Sequence, residues 1–110
     1  MLKPADDYYN EVMDSFLHTD CSMLSFYKNT EPYRPVIYAP DNDAGMRQFI
    51  SFDPNTQQII GYFSVQIKMK QAKYIIIVNF NKNNPMLFIQ DLITFLNLIF
   101  IKYKAETLTF

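Results

Sequence analysis

The run Tyr74-Ile75-Ile76-Ile77-Val78-Asn79-Phe80 constrains this chain more than any other segment. Extended, it is apolar on both faces and dominated by β-branched residues, which predicts a strand inside a sheet with cover on each side. Two segments have the pattern to supply that cover. Tyr8, Tyr9, Val12, Met13, Phe16 and Leu17 recur at i, i+4 and i+8, predicting an amphipathic helical region over about 5–27 that includes a short second turn over 22–27. Asp6, Asp7 and Glu11 stand near its start, where the helix dipole favours negative charge. The second segment begins at Asn84-Pro85, a capping residue followed by a proline suited to the first helical position. It predicts a helix over about 85–104 with Lys102 and Lys104 at its negative end. Its most apolar part, Met86 to Ile101, is sixteen residues long and carries Gln90, Asp91, Thr94 and Asn97 as one narrow polar stripe. That is too short and too interrupted for a bilayer span, so the expectation is a buried helix of a soluble domain. One face of it can cover the sheet, and the other needs a second partner.

The remaining strands follow from alternation and turn residues. Strands are expected over about 46–53 and 58–69, joined by Asp53-Pro54-Asn55-Thr56, where Pro54 fixes φ and Asn55 tolerates left-handed geometry. Lys70-Gln71-Ala72-Lys73 reads as the next turn, before a strand over 74–80 and a last one over about 106–110. Residues 29–45 hold Pro32, Pro35, Pro40, Gly45 and Asp41-Asn42-Asp43, and read as a loop in which only Val36 to Tyr38 is strand-like. The expected fold is a single α/β (α+β) domain over 1–110. A single mixed sheet carries an N-terminal helical region and a long packed helix, and the last strand returns parallel to the 74–80 strand.

Composition narrows the chemistry. With 10 basic and 11 acidic residues the net charge is −1, giving no bulk attraction to nucleic acid. Tyr62 and Phe63 beside Lys68, Lys70 and Lys73 have the ingredients of a stacking platform, yet a hydrophobic strand with a solvated basic end explains them better. Cys21 is the sole cysteine and His18 the sole histidine, which excludes a disulfide framework and a multi-cysteine zinc site. An inert thiol beside a surface histidine accounts for that pair better than a catalytic couple. Asp41 to Gly45 lacks the later bidentate Glu of a calcium loop, and Asp6 and Asp7 read as helix-start charges. No metal site is expected. With only Gly45 and Gly61, the glycine-rich nucleotide loops are excluded. The acidic N-terminus shows no export signal, and the single cysteine fits a reducing, cytoplasmic setting.

From Phe49 to Ser64 the sequence reads FISFDPNTQQIIGYFS, a strand, a tight turn, and then hydrophobic, hydrophobic, Gly61, hydrophobic. Together with the 74–80 strand, the helix after it and the final strand, this resembles the GCN5-related N-acetyltransferases, in particular divergent members from phages and prophages. The resemblance covers most of the chain and rests on element order more than on a motif. It implies an acyl-CoA N-acyltransferase-like fold lacking its C-terminal part. It also implies acetyl-CoA bound beside the 74–80 strand, with cofactor contacts at Val78, Asn79 and Phe80 and at Asn81, Lys82, Asn83 and Asn84 before the long helix. Family members carry a glycine-containing pyrophosphate loop that this sequence lacks, and no carboxylate stands on the 74–80 strand to serve as base. Those departures motivate the alternative expectation, a non-catalytic protein-interaction module or small phage-encoded inhibitor that forms a homodimer or binds a protein partner.

Overall fold

The computed structural model describes residues 1–18, 22–23, 36–39, 42–80 and 84–108. Its frame is a pair of long hairpins: β3 (Met46–Asp53), β4 (Gln58–Lys68) and β5 (Gln71–Asn79), all antiparallel. Three short strands complete a six-stranded mixed sheet. β1 (Leu2–Pro4) pairs antiparallel with the outer edge of β3. β2 (Ser22–Met23) pairs antiparallel with Asn79 and Val78 at the end of β5. β6 (Thr107–Leu108) pairs parallel with Gln71 and Ala72 at its start. The α+β class and the parallel return of the last strand are therefore as expected from the sequence.

Each sheet face carries one helix. A 3₁₀ turn (Ala5–Tyr8) leads into α1 (Tyr9–His18), whose Val12 and Phe16 pack on Ile50, Tyr62, Val78 and Phe80. The Phe16 ring meets Tyr62 and Phe80 edge-on at centroid separations of 5.4 and 4.7 Å. α2 (Pro85–Asn97) covers the opposite face through Phe88 and Phe95 and continues as a π-helical turn (Leu98–Lys102) that buries Ile99. Phe63 lies between the Phe88 and Phe95 rings, at 5.5 and 5.2 Å. Gly61 is what lets α2 come this close, because a Cβ there would fall 2.5 Å from the Phe88 ring.

Two bulges explain where simple alternation fails. Phe52 faces Ile59 and Ser51 faces Gly61, so Ile60 is the extra residue and turns into the α2-side core. On β5 the register shifts opposite Val65, where Tyr74 has φ +55° and is 68% exposed. The strand expected to begin at Tyr74 thus begins at Gln71. The turn expected over 70–73 is instead a two-residue connection, Met69-Lys70, with φ of +52° and +61°. Positive φ at both positions is the type I′ pattern that matches strand twist, adopted here by residues without the glycine or asparagine that usually lower its cost.

Other expectations are also corrected. Ser22–Met23 is a strand rather than a helical turn, because its backbone groups find partners at the end of β5; residues 24–27 lie outside the described residues. Val36 to Tyr38 forms no strand. The Gln48 side chain engages it instead, accepting from Tyr38 N–H at 2.8 Å and donating to Val36 O at 2.6 Å and Tyr62 Oη at 2.8 Å. Asp91 leaves the exposed polar stripe to which its spacing assigned it. It is 6% exposed, accepting from Ser51 Oγ at 2.5 Å and from the Met1 ammonium at 2.9 Å. Finally, the helix expected to be buried is not: only 22% of Pro85–Lys102 is buried, and by length and composition alone its 18 residues suffice to cross a membrane.

Candidate functional site

The residues singled out for a cofactor surround the end of β5 and the head of α2. Asn84 caps the helix as its spacing predicts, with Oδ1 accepting from Leu87 N–H at 3.3 Å and Pro85 in the first turn. Its Nδ2 donates to Asp53 Oδ2 at 3.3 Å, while Asp53 Oδ1 accepts from Asn55 N–H at 2.9 Å. The Asn55 backbone N–H chiefly, with Asn84 and Thr56 adding to it, holds the Asp53 carboxyl below its ordinary value against the opposing effect of burial. A carboxylate that stays ionised therefore stands beside the head of α2 and takes the Asn84 amide donor. Both effects oppose a second anion at that point.

Val78 and Phe80 project into the α1-side core, and Phe80 N–H donates to Ile60 O at 2.9 Å. Asn79 has strand partners on both sides, Gly61 in β4 and Ser22 in β2. Its side-chain Oδ1 is buried with no hydrogen-bond partner among the described residues. Asn81, Lys82 and Asn83 lie outside the described residues, as does Cys21. The structure thus brings Asn79 and Asn84 to the junction and turns Val78 and Phe80 away into the core.

A second location comes from segments far apart in sequence. Beyond the end of β1, the start of β3 borders an open cleft of about 430 Å³. Asp6 and Asp7 of the 3₁₀ turn line it, as do Tyr38, Arg47, Lys102 and Tyr103. The Arg47 guanidinium and Lys102 ammonium lie 5.5 and 5.7 Å from the centre of the Tyr103 ring, within cation–π range. Carboxylates and cations share this cleft. Sequence reading missed it because residues 6, 38, 47 and 102 share no local pattern.

Among the described residues no three metal-binding side chains cluster. Asn42, in the stretch that superficially suggested a calcium loop, instead brackets a turn. Its Nδ2 donates to Ala39 O at 2.6 Å and Met46 O at 3.0 Å, and its Oδ1 accepts from Met46 N–H at 3.0 Å. Tyr62 and Phe63 are fully buried, which removes their rings from any stacking platform.

The third location is the outer face of α2 and the π turn. Met86, Ile89, Ile93 and Ile101 are 65, 48, 53 and 73% exposed, and Phe100 stands out beside them. Gln90, Thr94 and Asn97 are exposed between them, with Thr94 Oγ1 donating to Gln90 O at 2.9 Å. From Pro85 to Ile101 the one charged residue is Asp91, which faces inward. The outer face is therefore long, apolar and uncharged. Comparisons with protein-family models, curated protein sequences and solved structures find no match.

Proposed function

We propose that this protein is a non-catalytic interaction module that docks through the outer face of α2. The observation that carries this reading is the exposure of Met86, Ile89, Ile93, Phe100 and Ile101 along one uncharged helix face. Large apolar side chains grouped this way mark association surfaces, whereas single exposed ones are ordinary. Methionine oxidation tests the reading, with Met69, 94% exposed in the β4–β5 turn, as an internal reference. In intact cells producing the chain, Met86 should oxidise several-fold more slowly relative to Met69 than it does in dilute purified protein. Equal ratios in the two settings overturn the reading.

A second reading, acetyl-CoA binding by an acyltransferase-like domain, draws support from two features. Asn79 Oδ1 is a buried acceptor with no donor among the described residues, and β5 and β6 run parallel on either side of α2 in the chain, the strand–helix–strand order on which that resemblance rests. Calorimetric titration of the wild type and Lys82→Ala with acetyl-CoA tests it. Saturable binding that the substitution weakens supports it, and no heat at millimolar ligand removes it.

A further inference from the structure

We infer that the cleft beside the start of β3 binds a small zwitterion, an amino acid or short peptide whose carboxylate meets Arg47 and Lys102 and whose ammonium meets Asp6 and Asp7. All four charged side chains line one cavity of about 430 Å³, toward the lower end of the range usual for small-ligand sites. Carboxylates and cations brought into one cleft can neutralise each other, yet among the described residues none of these four is in an ion pair. The two cations are held against the Tyr103 ring instead, Arg47 at 5.5 Å and Lys102 at 5.7 Å from its centre. Arg47 Nη1 also donates to Met46 O at 2.9 Å. A ring and a carbonyl position a cation without cancelling its charge, so both cations stay available to an anion.

The walls are fixed from separate parts of the fold. Asp6 and Asp7 stand on the 3₁₀ turn, which fully buried Ala5 anchors. Tyr38 is held at the rim by the Gln48 side chain, which accepts from its N–H at 2.8 Å. Lys102 and Tyr103 arrive through the π turn, closed by Tyr103 N–H donating to Leu98 O at 3.0 Å. Such turns are rare and gather at functional sites. Charge then selects the ligand. Asp6 and Asp7 disfavour a plain anion, and Arg47 and Lys102 disfavour a plain cation. A molecule with opposite charges at its two ends satisfies both pairs at once. The site uses none of the apolar side chains on the outer face of α2, so it stands or falls independently of the docking role proposed there.

Calorimetric titration of the full chain with glycyl-phenylalanine tests the inference, alongside its N-acetyl form and its C-terminal amide; the ligand's ring can pack on Tyr38 at the rim. Glycyl-phenylalanine should bind saturably in the millimolar range or tighter. Removing either end charge should weaken binding about tenfold or more, the effect of leaving one charged pair unmade. Arg47→Gln should erase the preference for the free acid over the amide while keeping the preference for the free amine. Asp6→Asn combined with Asp7→Asn should do the reverse. A general disturbance of the fold would not remove one preference and keep the other, and circular dichroism of each variant checks the fold directly. Free phenylalanine that binds with the same dependence on both ends assigns the site to amino acids, and binding confined to the dipeptide assigns it to peptides; either supports the inference. An acetylated dipeptide that binds as tightly as the free one makes this a simple anion site, and an amide that does so makes it a cation site. Either of those results overturns the inference, as does the absence of saturable binding at millimolar concentrations of both ligands.

Discussion

The two helices cover opposite faces of one sheet and present opposite surfaces to the outside. α1 buries Val12 and Phe16 and turns Asn10, Glu11 and Asp14 outward, so that among its described side chains the exposed side is, apart from Tyr9, polar and charged. α2 and the π turn that continues it bury Phe88, Asp91, Phe95 and Ile99, and the exposed side of α2 is apolar with three neutral polar residues. Each covers its own face of the sheet. The difference shows that core packing does not dictate the outer surface of a helix.

The comparison breaks most readily at the inner faces. Phe95→Ala removes a fully buried ring that contacts Phe49 and Phe63, and should cost about 3–5 kcal/mol in urea unfolding. Phe16→Ala, on the smaller α1-side cluster, should fall at the low end of that range. Equal losses would show that the two clusters bear the fold alike. Next comes the polar contact between α2 and the sheet. Asp91→Ala leaves the buried Ser51 hydroxyl without its acceptor and should cost about 1–3 kcal/mol. Adding Ser51→Ala should return part of that loss, because the unsatisfied group is removed as well; an additive double-mutant cycle would contradict the pairing.

Smaller still is the effect of making the outer face of α2 resemble that of α1. Ile93→Lys should leave urea unfolding measured at low micromolar concentration within about 0.5 kcal/mol of wild type, because the side chain is 53% exposed and lies outside both core clusters. A larger loss would mean that the residue serves the fold itself. The last effect is confined to acid. Asp53 has a folded-state pKa below its ordinary value, so its contribution to stability is complete above about pH 4 and is lost as pH falls through the lowered value. Wild type should therefore exceed Asp53→Asn in urea midpoint at neutral pH, with the gap closing on acidification. A gap that stays constant below pH 4 would show that the carboxylate is not what braces the head of α2.

What sequence could disclose was local. The Asn84-Pro85 start, the Asp53 to Thr56 turn and the period of Val12 and Phe16 depend on neighbouring residues, and each appears where expected, except that the left-handed residue of that connection is Gln57 (φ +57°) rather than Asn55. β1 and β2 have two or three residues each and exist because distant strands offer them partners, so nothing within them announces a strand. Asp91 shares a stripe with Gln90 and Thr94 by spacing alone, and only Ser51 and the Met1 ammonium give it reason to turn inward. The bulges at Ile60 and Tyr74 shift the facing of residues around them, which no period of two can anticipate. For the cofactor residues, spacing identified the cap but not Asp53 beside it or β2 along Val78 and Asn79, since both come from other parts of the chain.

The Met69-Lys70 turn bears on the order in which the sheet assembles. A hairpin closed by two left-handed residues of ordinary type has a poor local nucleus, whereas the β3–β4 connection has one such residue, Gln57, and carries Pro54 and Asn55, which bias it toward closing. Folding should then begin at β3–β4, with β5 added afterwards from contacts such as Phe63–Ile77 rather than propagated from its own turn. The strand with the strongest hydrophobic signature in the chain should then add to an edge already formed by β4, rather than serve as the template itself.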